Sequence, residues 1–316
     1  MMKFGSIEVV APATSANLGS GFDVFGVALD VLYDSVYVQL TEMPNIEVSI
    51  EGIGSESIPT DPERNTAGIV AKALLDFSKK KCGIRVRIKK GIKPGSGLGS
   101  SAASAAAASL ATNEVLGLNL TREDLIKFAA QGEIASAGVP HADNVSPAIL
   151  GFFTIVKSYD PLEVVNLPLP KNVGFAIALP EISLTTSQAR SVLPGKVNLS
   201  DLVHNVGHAA TLIAGIALND VNLMGRGMSD AVVEPARTPL IPGLAHVKKR
   251  AMESGAAGVA ISGAGPSVLA LVNTEERRMD EIAEAMKEAF EDYGVKSQAI
   301  CARPGPGAKI VRRRDD

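Results

Sequence analysis

The sequence contains no tryptophan, and aromatic residues make up only 4% of its 316 positions. Proteins that bind single-stranded nucleic acid stack the bases on aromatic side chains, and such platforms are scarce here. The two cysteines, Cys82 and Cys301, are too few and too far apart for a disulfide scaffold or a Cys/His metal site. The 31 basic and 34 acidic side chains leave a net charge of −3, which favours neither nucleic acid nor an anionic membrane as a partner.

Long apolar runs are also missing. The uncharged stretches 94–113 and 202–219 are rich in Gly, Ser and Ala or are broken by His and Asn, so neither is a convincing membrane span. The N-terminal stretch MMKFGSIEVVAP lacks the apolar segment of a secretory signal. We therefore expect a reduced, cytoplasmic protein.

The length suits about two domains of roughly 150 residues each. We place an N-terminal domain at 1–158 and a C-terminal domain at 159–316. In the first domain, apolar runs predict strands at 6–11, 31–40, 47–50 and 151–158, and alternation of apolar and basic residues predicts one at 84–88. Helices are predicted after Asn65 and from Thr121. The second domain is predicted as strand, two helices, two strands, helix and strand, an order compatible with a ferredoxin-like split βαβ sandwich. The stretch 161–171 between them is a candidate linker or edge.

The most unusual segment is 94–104, where Gly95, Gly97 and Gly99 lead directly into Ser100 and Ser101. Glycine lets the backbone approach a ligand closely, and the first turn of a helix offers unpaired N–H groups and about half a positive charge. Such a site suits phosphate. The alternative is a Gly/Ser turn that only starts an alanine-rich packing helix. Neither GxxxxGK[ST] nor GxGxxG occurs, so the common nucleotide-binding motifs do not explain the segment.

From Ile92 to Ala103 the chain resembles the loop of the galactokinase, homoserine kinase, mevalonate kinase and phosphomevalonate kinase (GHMP) superfamily. The segment 262–271, SGAGPSVLAL, is similar to another motif of that superfamily. Three segments resemble the homoserine kinase family in particular: APATSANLGSGFDVFGVALD at 11–30, GVPHADNVSPAILG at 138–151 and EPARTPLIPG at 234–243. The resemblance implies an α+β fold of two domains, the first ribosomal-protein-S5-domain-2-like and ATP-binding, the second a ferredoxin-like split βαβ domain.

By this resemblance the glycine-rich segment binds ATP, and Ser101 acts with Glu133 on Mg²⁺, a cation that takes few protein ligands. Glu133 falls at the edge of a helical apolar stripe, an unusual place for a carboxylate. The alternative for both Glu133 and Asn65 is an ordinary helix cap or an exposed polar residue. The implied ATP-binding residues are Asn65, Pro94, Gly95, Ser96, Gly97, Leu98, Gly99, Ser100, Ser101, Ala102, Ala103 and Ser104, and the implied metal ligands are Ser101 and Glu133.

The resemblance also implies an amino acid substrate, L-homoserine. Guanidinium groups bind carboxylates bidentately, so Arg190 and Arg237 are candidates for the substrate carboxylate, although a lone arginine is more often a surface charge. Asn17 and Asp23 suit an ammonium and a hydroxyl, or they stabilise a turn. The implied substrate-binding set is Asn17, Asp23, His141, Asn144, Arg190 and Arg237, and the implied catalytic set is Asn144, Asp143 and Arg190.

The implied activity is transfer of the ATP γ-phosphate to the side-chain hydroxyl of L-homoserine, which gives O-phospho-L-homoserine for threonine biosynthesis. The proton acceptor is either Asp143 or the γ-phosphate itself, because phosphoryl transfer depends mainly on positioning and charge neutralisation. The alternatives are a related kinase acting on shikimate or mevalonate, and an inactive small-molecule sensor on the same fold. We further expect a homodimer with no nucleic-acid or membrane partner.

Overall fold

Two β-sheets organise the protein in a computed structural model that describes residues 5–134 and 141–314. The strands are β1 (Ser6–Asn17), β2 (Gly21–Thr41), β3 (Ile46–Gly52), β4 (Gly83–Lys90), β5 (Phe153–Tyr159), β6 (Leu162–Leu167), β7 (Val173–Pro180), β8 (Gly258–Ile261), β9 (Val268–Asn273), β10 (Ser297–Ala302) and β11 (Lys309–Arg314). The helices are α1 (Thr66–Ser78), α2 (Ser100–Leu116), α3 (Arg122–Gly132), α4 (Val145–Leu150), α5 (Thr186–Ser191), α6 (Leu199–Leu218), α7 (Val221–Arg226), α8 (Val233–Arg237), α9 (Leu244–Glu253) and α10 (Met279–Glu291). This mixed content confirms the α+β class.

The first sheet has the order β11-β1-β2-β4-β3, and β5 pairs with β2 and β6. Its pairings are antiparallel except for the parallel β3–β4 pair. Strand β4 buries Ile84, Val86 and Ile88 and leaves the intervening arginines more exposed, as the alternation predicts. Strands β1 and β2 are longer than expected, because the segment between the predicted strands also pairs across the sheet.

The second sheet has the order β10-β7-β9-β8 and is antiparallel throughout. Strands β7, β8 and β9 are buried along their whole length because helices cover both faces. Ala176 and Ala178 belong to a cluster with α9 and α10, whereas Phe175 and Ile177 belong to the larger core that also contains α6 and α7. The elements expected for the C-terminal half occur in the expected order, and the structure adds the short helices α5, α7 and α8 between them and strand β11 after them.

The proposed domain boundary falls within the β5–β6 hairpin. Strand β6 lies in the stretch predicted as a linker or edge, and it is an edge strand of the first sheet. Strand β11, close to the C-terminus, also joins the first sheet by pairing with β1. The sequence predicts that the helix from Thr121 runs to about residues 138–140, but α3 ends earlier, at Gly132, with Glu133 as its C-cap; residues 135–140 lie outside the described residues. Over 5–134 and 141–314, none of the helices has the length and apolar character that a membrane span needs.

Helix α2 lies at the centre of the first half and packs against α1, α3, β1 and β2. It is buried on nearly every side, and most of its residues are alanine or serine. Alanine favours the helix without losing side-chain entropy, and its small side chain lets neighbouring elements approach closely. The glycine-rich segment that starts this helix is therefore anchored in the core.

A buried ion pair lies below the start of α2. The Lys90 ammonium contacts the Asp34 carboxylate, and both side chains are almost completely buried. Lys90 Nζ also donates hydrogen bonds to the carbonyl oxygen of Ser100 (2.8 Å) and to Ser104 Oγ (2.9 Å). These contacts tie β2 and β4 to the first turns of α2.

Lys90→Met should destabilise the fold strongly, because Asp34 would stay buried without its cation. We expect the free energy of unfolding, measured by urea denaturation at pH 7, to fall by about 3–5 kcal/mol. The control Lys72→Met breaks the exposed Lys72–Glu63 pair, for which we expect little or no loss because solvent screens the pair. Equal losses in the two variants would contradict a structural role for the buried pair.

Candidate active site

A cavity of about 840 Å³ is lined by residues from both halves of the chain, a volume typical of small-molecule sites. Most of the residues expected in the site line it: Asn17, Asn65, Pro94, Gly95, Ser96, Gly97, Gly99, Ser100, Ser101, Ser104, Glu133, His141, Asp143, Asn144, Arg190 and Arg237. Asp23 lies next to the cavity, paired with Arg190. The side chains of Leu98, Ala102 and Ala103 are buried in the hydrophobic core instead.

The glycine-rich segment follows one wall of the cavity. Gly95, Gly97 and Gly99 have φ angles of 67°, 82° and 65°, the left-handed region that favours glycine. A Cβ on Gly97 would lie 2.5 Å from the carbonyl oxygen of Ser262. Ser262 Oγ donates to the Gly97 carbonyl (2.8 Å), so the segment 262–271 supports the glycine loop from behind.

The first turn of α2 presents polar groups to the cavity. Gly99 occupies the N-cap without a side-chain cap, and the amides of a first helical turn lack intrahelical acceptors. Ser100 Oγ donates to the carbonyl of Ile92 (2.8 Å), whereas Ser101 Oγ donates to Glu133 Oε2 (3.0 Å). The structure thus brings together the hydroxyl and the carboxylate expected to act on a metal. Nowhere in the described residues is a group of three or more His, Cys, Asp or Glu side chains arranged to hold a metal ion.

Asn65 shapes another part of the wall. Its Oδ1 accepts from the amides of Ala67 (3.0 Å) and Gly68 (3.1 Å), which makes it the N-cap of α1. Its Nδ2 donates to the Pro59 carbonyl (2.8 Å). Asn65 therefore holds the 57–59 segment and α1 together at the cavity, and its amide group is engaged by the protein.

Several charged side chains also line the cavity or lie next to it. Arg190 Nη2 donates to Asp23 Oδ1 (2.7 Å) and lies 3.3 Å from His141 Nδ1. Arginine only donates, so Nδ1 of His141 is the acceptor and a neutral imidazole carries its proton on Nε2. Burial, and then the charge of Arg190, lowers the pKa of His141, which favours that neutral form. Among the described residues, Nε2 is buried without a hydrogen-bond partner, so it can donate to a ligand.

Asp143 and Asn144 lie beside these charges. Burial, followed by the charge of Asp23, raises the pKa of Asp143 to about 7. Asp143 Oδ1 accepts from the Asn144 amide (2.9 Å), and Asn144 Oδ1 accepts from Thr14 Oγ1 (2.8 Å). The Asn144 side chain is thereby fixed next to Gly99, and its Nδ2 lies 3.5 Å from Asp143 Oδ1.

Asn17 and Arg237 connect the two halves of the chain beside these charged residues. Asn17 Nδ2 donates to the Gly263 carbonyl (2.8 Å), and its Oδ1 accepts from the Asp23 amide (3.0 Å). Arg237 is 3% exposed and donates to the carbonyls of Ala189 (3.1 Å) and Gly263 (3.0 Å). Burial lowers the pKa of Arg237, and the neighbouring Arg190 lowers it further.

Sequence reasoning missed several residues of the site. Lys90 lines the cavity, and a signal for it existed, because it follows Ile84, Val86 and Ile88 on the buried side of β4. Thr14 and Phe22 carried no comparable signal, since their partners Asn144, Arg190 and Arg237 lie far away in the sequence.

Two family models match the chain, GHMP kinases N terminal domain at residues 65–152 and GHMP kinases C terminal at residues 212–292. The chain is 46% identical to a homoserine kinase from Methanocella arvoryzae over 311 residues. The matched region covers 98% of this chain and 99% of that protein. A homoserine kinase from Methanococcus maripaludis is 47% identical over 305 residues, 96% of this chain and 98% of that protein. The crystal structure of homoserine kinase from Cytophaga hutchinsonii matches with a TM-score of 0.92 and 41% identity, covering 98% of both chains. These similarities confirm the resemblance inferred from the sequence.

The raised pKa of Asp143 predicts a pH-dependent stability. Its folded-state pKa of about 7 lies above the value of about 3.9 expected in the unfolded chain, so folding takes up a proton between these pH values. The stability that this proton contributes is fully present below about pH 4 and is lost as the pH rises through 7. Asp143→Asn removes this titration. The melting temperature of the variant, relative to that of the original protein, should therefore increase as the pH is raised from 5 to 8.

The exposed Asp76 on α1 offers a matched control. For Asp76→Asn we expect the difference in melting temperature to stay constant over the same pH range. A constant difference for Asp143→Asn as well would contradict the raised pKa.

Proposed function

Because the chain belongs to the GHMP kinase family, we propose that it acts as a homoserine kinase, transferring the γ-phosphate of ATP to the side-chain hydroxyl of L-homoserine. The product is O-phospho-L-homoserine, an intermediate for threonine biosynthesis. One observation carries the proposal: a single cavity joins a glycine-rich loop at a helix N-terminus to a pair of arginines. A nucleotide and a small amino acid can therefore be held side by side.

In this proposal the ATP phosphates lie along Gly95 to Ser101. Anions bind well where backbone amides converge at a helix N-terminus, and the left-handed glycines keep side chains out of that space. Asn65 acts on the nucleotide indirectly, because its amide holds the wall at 57–59 in place. The buried residues Leu98, Ala102 and Ala103 contribute through the backbone, since their side chains pack in the core.

The donors at Ser101 and Glu133 fit Mg²⁺. A hydroxyl and a carboxylate already in contact supply hard oxygen ligands, and Mg²⁺ commonly binds through one or two protein groups plus phosphates and water. When bound, Mg²⁺ neutralises negative charge on the phosphate oxygens. The burial of Glu133, which is 6% exposed, keeps its carboxylate close to the loop.

In the charged part of the cavity, Arg190 and Arg237 bind the substrate carboxylate, and His141 Nε2 donates a further hydrogen bond to the substrate. Asp23 accepts from Arg190 through Oδ1, and its second oxygen accepts from the substrate ammonium. Asn17 acts by position, because both ends of its amide hold the turn that carries Asp23. These roles suit an amino acid better than mevalonate, which has no ammonium group.

Asn144 orients the acceptor hydroxyl toward the phosphate, held by its hydrogen bond from Thr14. Two groups can take the hydroxyl proton. Asp143 has a pKa of about 7, which suits a general base at neutral pH. The γ-phosphate can also accept it, since the loose transition state of phosphoryl transfer needs little help from a base. Only the first route requires Asp143 to be ionised, so the pH dependence of kcat separates them.

ADP release should be detected with Mg·ATP and L-homoserine, and not with shikimate, mevalonate or no acceptor. The arginine pair and Asp23 bind the charged ends of an amino acid, and neither competing acceptor carries both charges. A coupled enzyme assay measures the release for each acceptor. Turnover with another acceptor alone would contradict the substrate, and nucleotide binding without turnover would favour a sensor.

The same assay tests the metal site through Glu133→Gln. We expect kcat to fall by at least about 100-fold, because the amide loses the negative charge that attracts Mg²⁺. Glu123→Gln makes the same change at an exposed position in the first turn of α3, and it should leave turnover unchanged. Equal activities of the two variants would argue against Glu133 as a metal ligand.

We also propose a cytoplasmic homodimer. Helix α6 buries little of its surface and exposes Leu199, Val203, Val206 and Leu218, each at least 60% accessible. A second copy would remove this apolar face from water. Both cysteines are free thiols, which supports a reducing compartment. Sedimentation at micromolar concentration should give the mass of a dimer, and a monomer would contradict the proposal.

A further inference from the structure

The ring of Phe22 lies close to both arginines of the site. The Cζ atom of Arg190 is 5.3 Å from the centroid of this ring, and that of Arg237 is 5.4 Å away. Cations within about 6 Å of an aromatic centroid are attracted by the negative face of the ring. One aromatic side chain therefore contacts both guanidinium groups.

The two cations need such a contact because they repel each other. Arg190 is neutralised by Asp23, whereas the hydrogen bonds of Arg237 go to the carbonyls of Ala189 and Gly263, which carry no full charge. The pKa of Arg237 is lowered by its burial and by the charge of Arg190. The charges of Asp23, Asp143 and Asp230 offset part of this effect on Arg237. Phe22 adds an uncharged contact to both arginines, so its loss would free their side chains to move apart.

The backbone fixes the ring in place. Just before it, Ser20 Oγ donates to the Gly227 carbonyl (2.9 Å), and Gly19 packs so closely against Met228 that a Cβ would overlap its carbonyl. Just after it, the Asp23 amide donates to Asn17 Oδ1 (3.0 Å). Held from both sides, Phe22 can set the position of flexible arginine side chains rather than follow them.

We propose that Phe22 is a positioning residue, whose ring holds Arg190 and Arg237 in the arrangement that binds the substrate carboxylate. This inference rests on the proposed function, because it requires the arginines to bind that carboxylate. Phe22 itself needs no contact with the substrate, and its effect should therefore depend on the charge at the substrate's carboxyl end.

Phe22→Leu keeps an apolar side chain and removes the ring face. We expect the KM for L-homoserine to rise about tenfold, with kcat changed less than about twofold and the KM for ATP unchanged. Phe22→Tyr keeps the ring and should restore the original KM. Calorimetric titration with L-homoserine in the absence of nucleotide should show the same order of affinities.

A substrate analogue without the carboxylate isolates the effect. With 3-aminopropan-1-ol as acceptor, kcat/KM should be low and equal in the original protein and in Phe22→Leu, since no carboxylate is present for the arginines to bind. Phe77→Leu makes the same change on the exposed side of α1, and it should leave both acceptors unaffected. Phe22→Met serves as a second non-aromatic variant if the leucine variant melts at a much lower temperature.

The outcomes separate this inference from the proposed function. Homoserine turnover by the original protein with an unchanged KM in both non-aromatic variants would overturn the role of Phe22 alone. An equal loss of kcat/KM for homoserine and for the analogue would also overturn the role of Phe22, because it would show general damage to the site. Absence of homoserine turnover in the folded original protein would overturn the proposed function and this inference with it.

Discussion

The geometry of the site depends on the hydrogen bonds that the buried carboxylate of Asp34 accepts. This carboxylate accepts hydrogen bonds from the Lys90 ammonium, from Ser104 Oγ (2.8 Å) and from the amides of Gly91 (3.0 Å) and Ile92 (3.1 Å). These donors lie just before the glycine-rich loop and just after it, so one buried charge holds both ends of the loop to β2. A buried carboxylate is stable only when it is paired and hydrogen-bonded in this way. The loop is consequently in position before any ligand binds, and it has little reorganisation left to do.

The charged groups around Arg190 and His141 are arranged differently from those around Asp34. Asp34 is saturated with donors from the protein, whereas Arg190 Nε and His141 Nε2 are buried without hydrogen-bond partners in the part of the chain that the structure describes. Burial also shifts the pKa of His141 downward and that of Asp143 upward. Shifted pKa values with unsatisfied donors are typical of functional sites, because a ligand supplies the missing partners. The first cluster therefore acts as scaffold, and under the proposed function the second is completed by the substrate.

Much of this arrangement could be predicted from local patterns in the sequence. Period-two alternation identified β4, and the succession of glycine, serine and alanine identified a loop that leads into a buried helix. The pairing of Lys90 with Asp34 could not be predicted, because it depends on which strands of the sheet are neighbours. Asn17 shows a second limit. Its residue type suits a ligand, but the fold uses both ends of its amide to join Asp23 to Gly263, contacts that only the tertiary structure reveals.

The start of α2 shows how one helix serves the scaffold and the site together. Residues four apart lie on nearly the same side of a helix, so Ser100 and Ser104 both reach the Lys90 ammonium, one with its carbonyl and the other with its hydroxyl. Ser101 is rotated by about 100° from Ser100, and its hydroxyl reaches Glu133 instead. Because alanines fill most of the following turns, the helix can sit deep in the core while these three serines face polar partners. Moving the serine pattern by one residue would rotate it by about 100° and take the Ser104 hydroxyl away from the Lys90 ammonium, so the register of α2 couples the stability of the loop to the chemistry of the site.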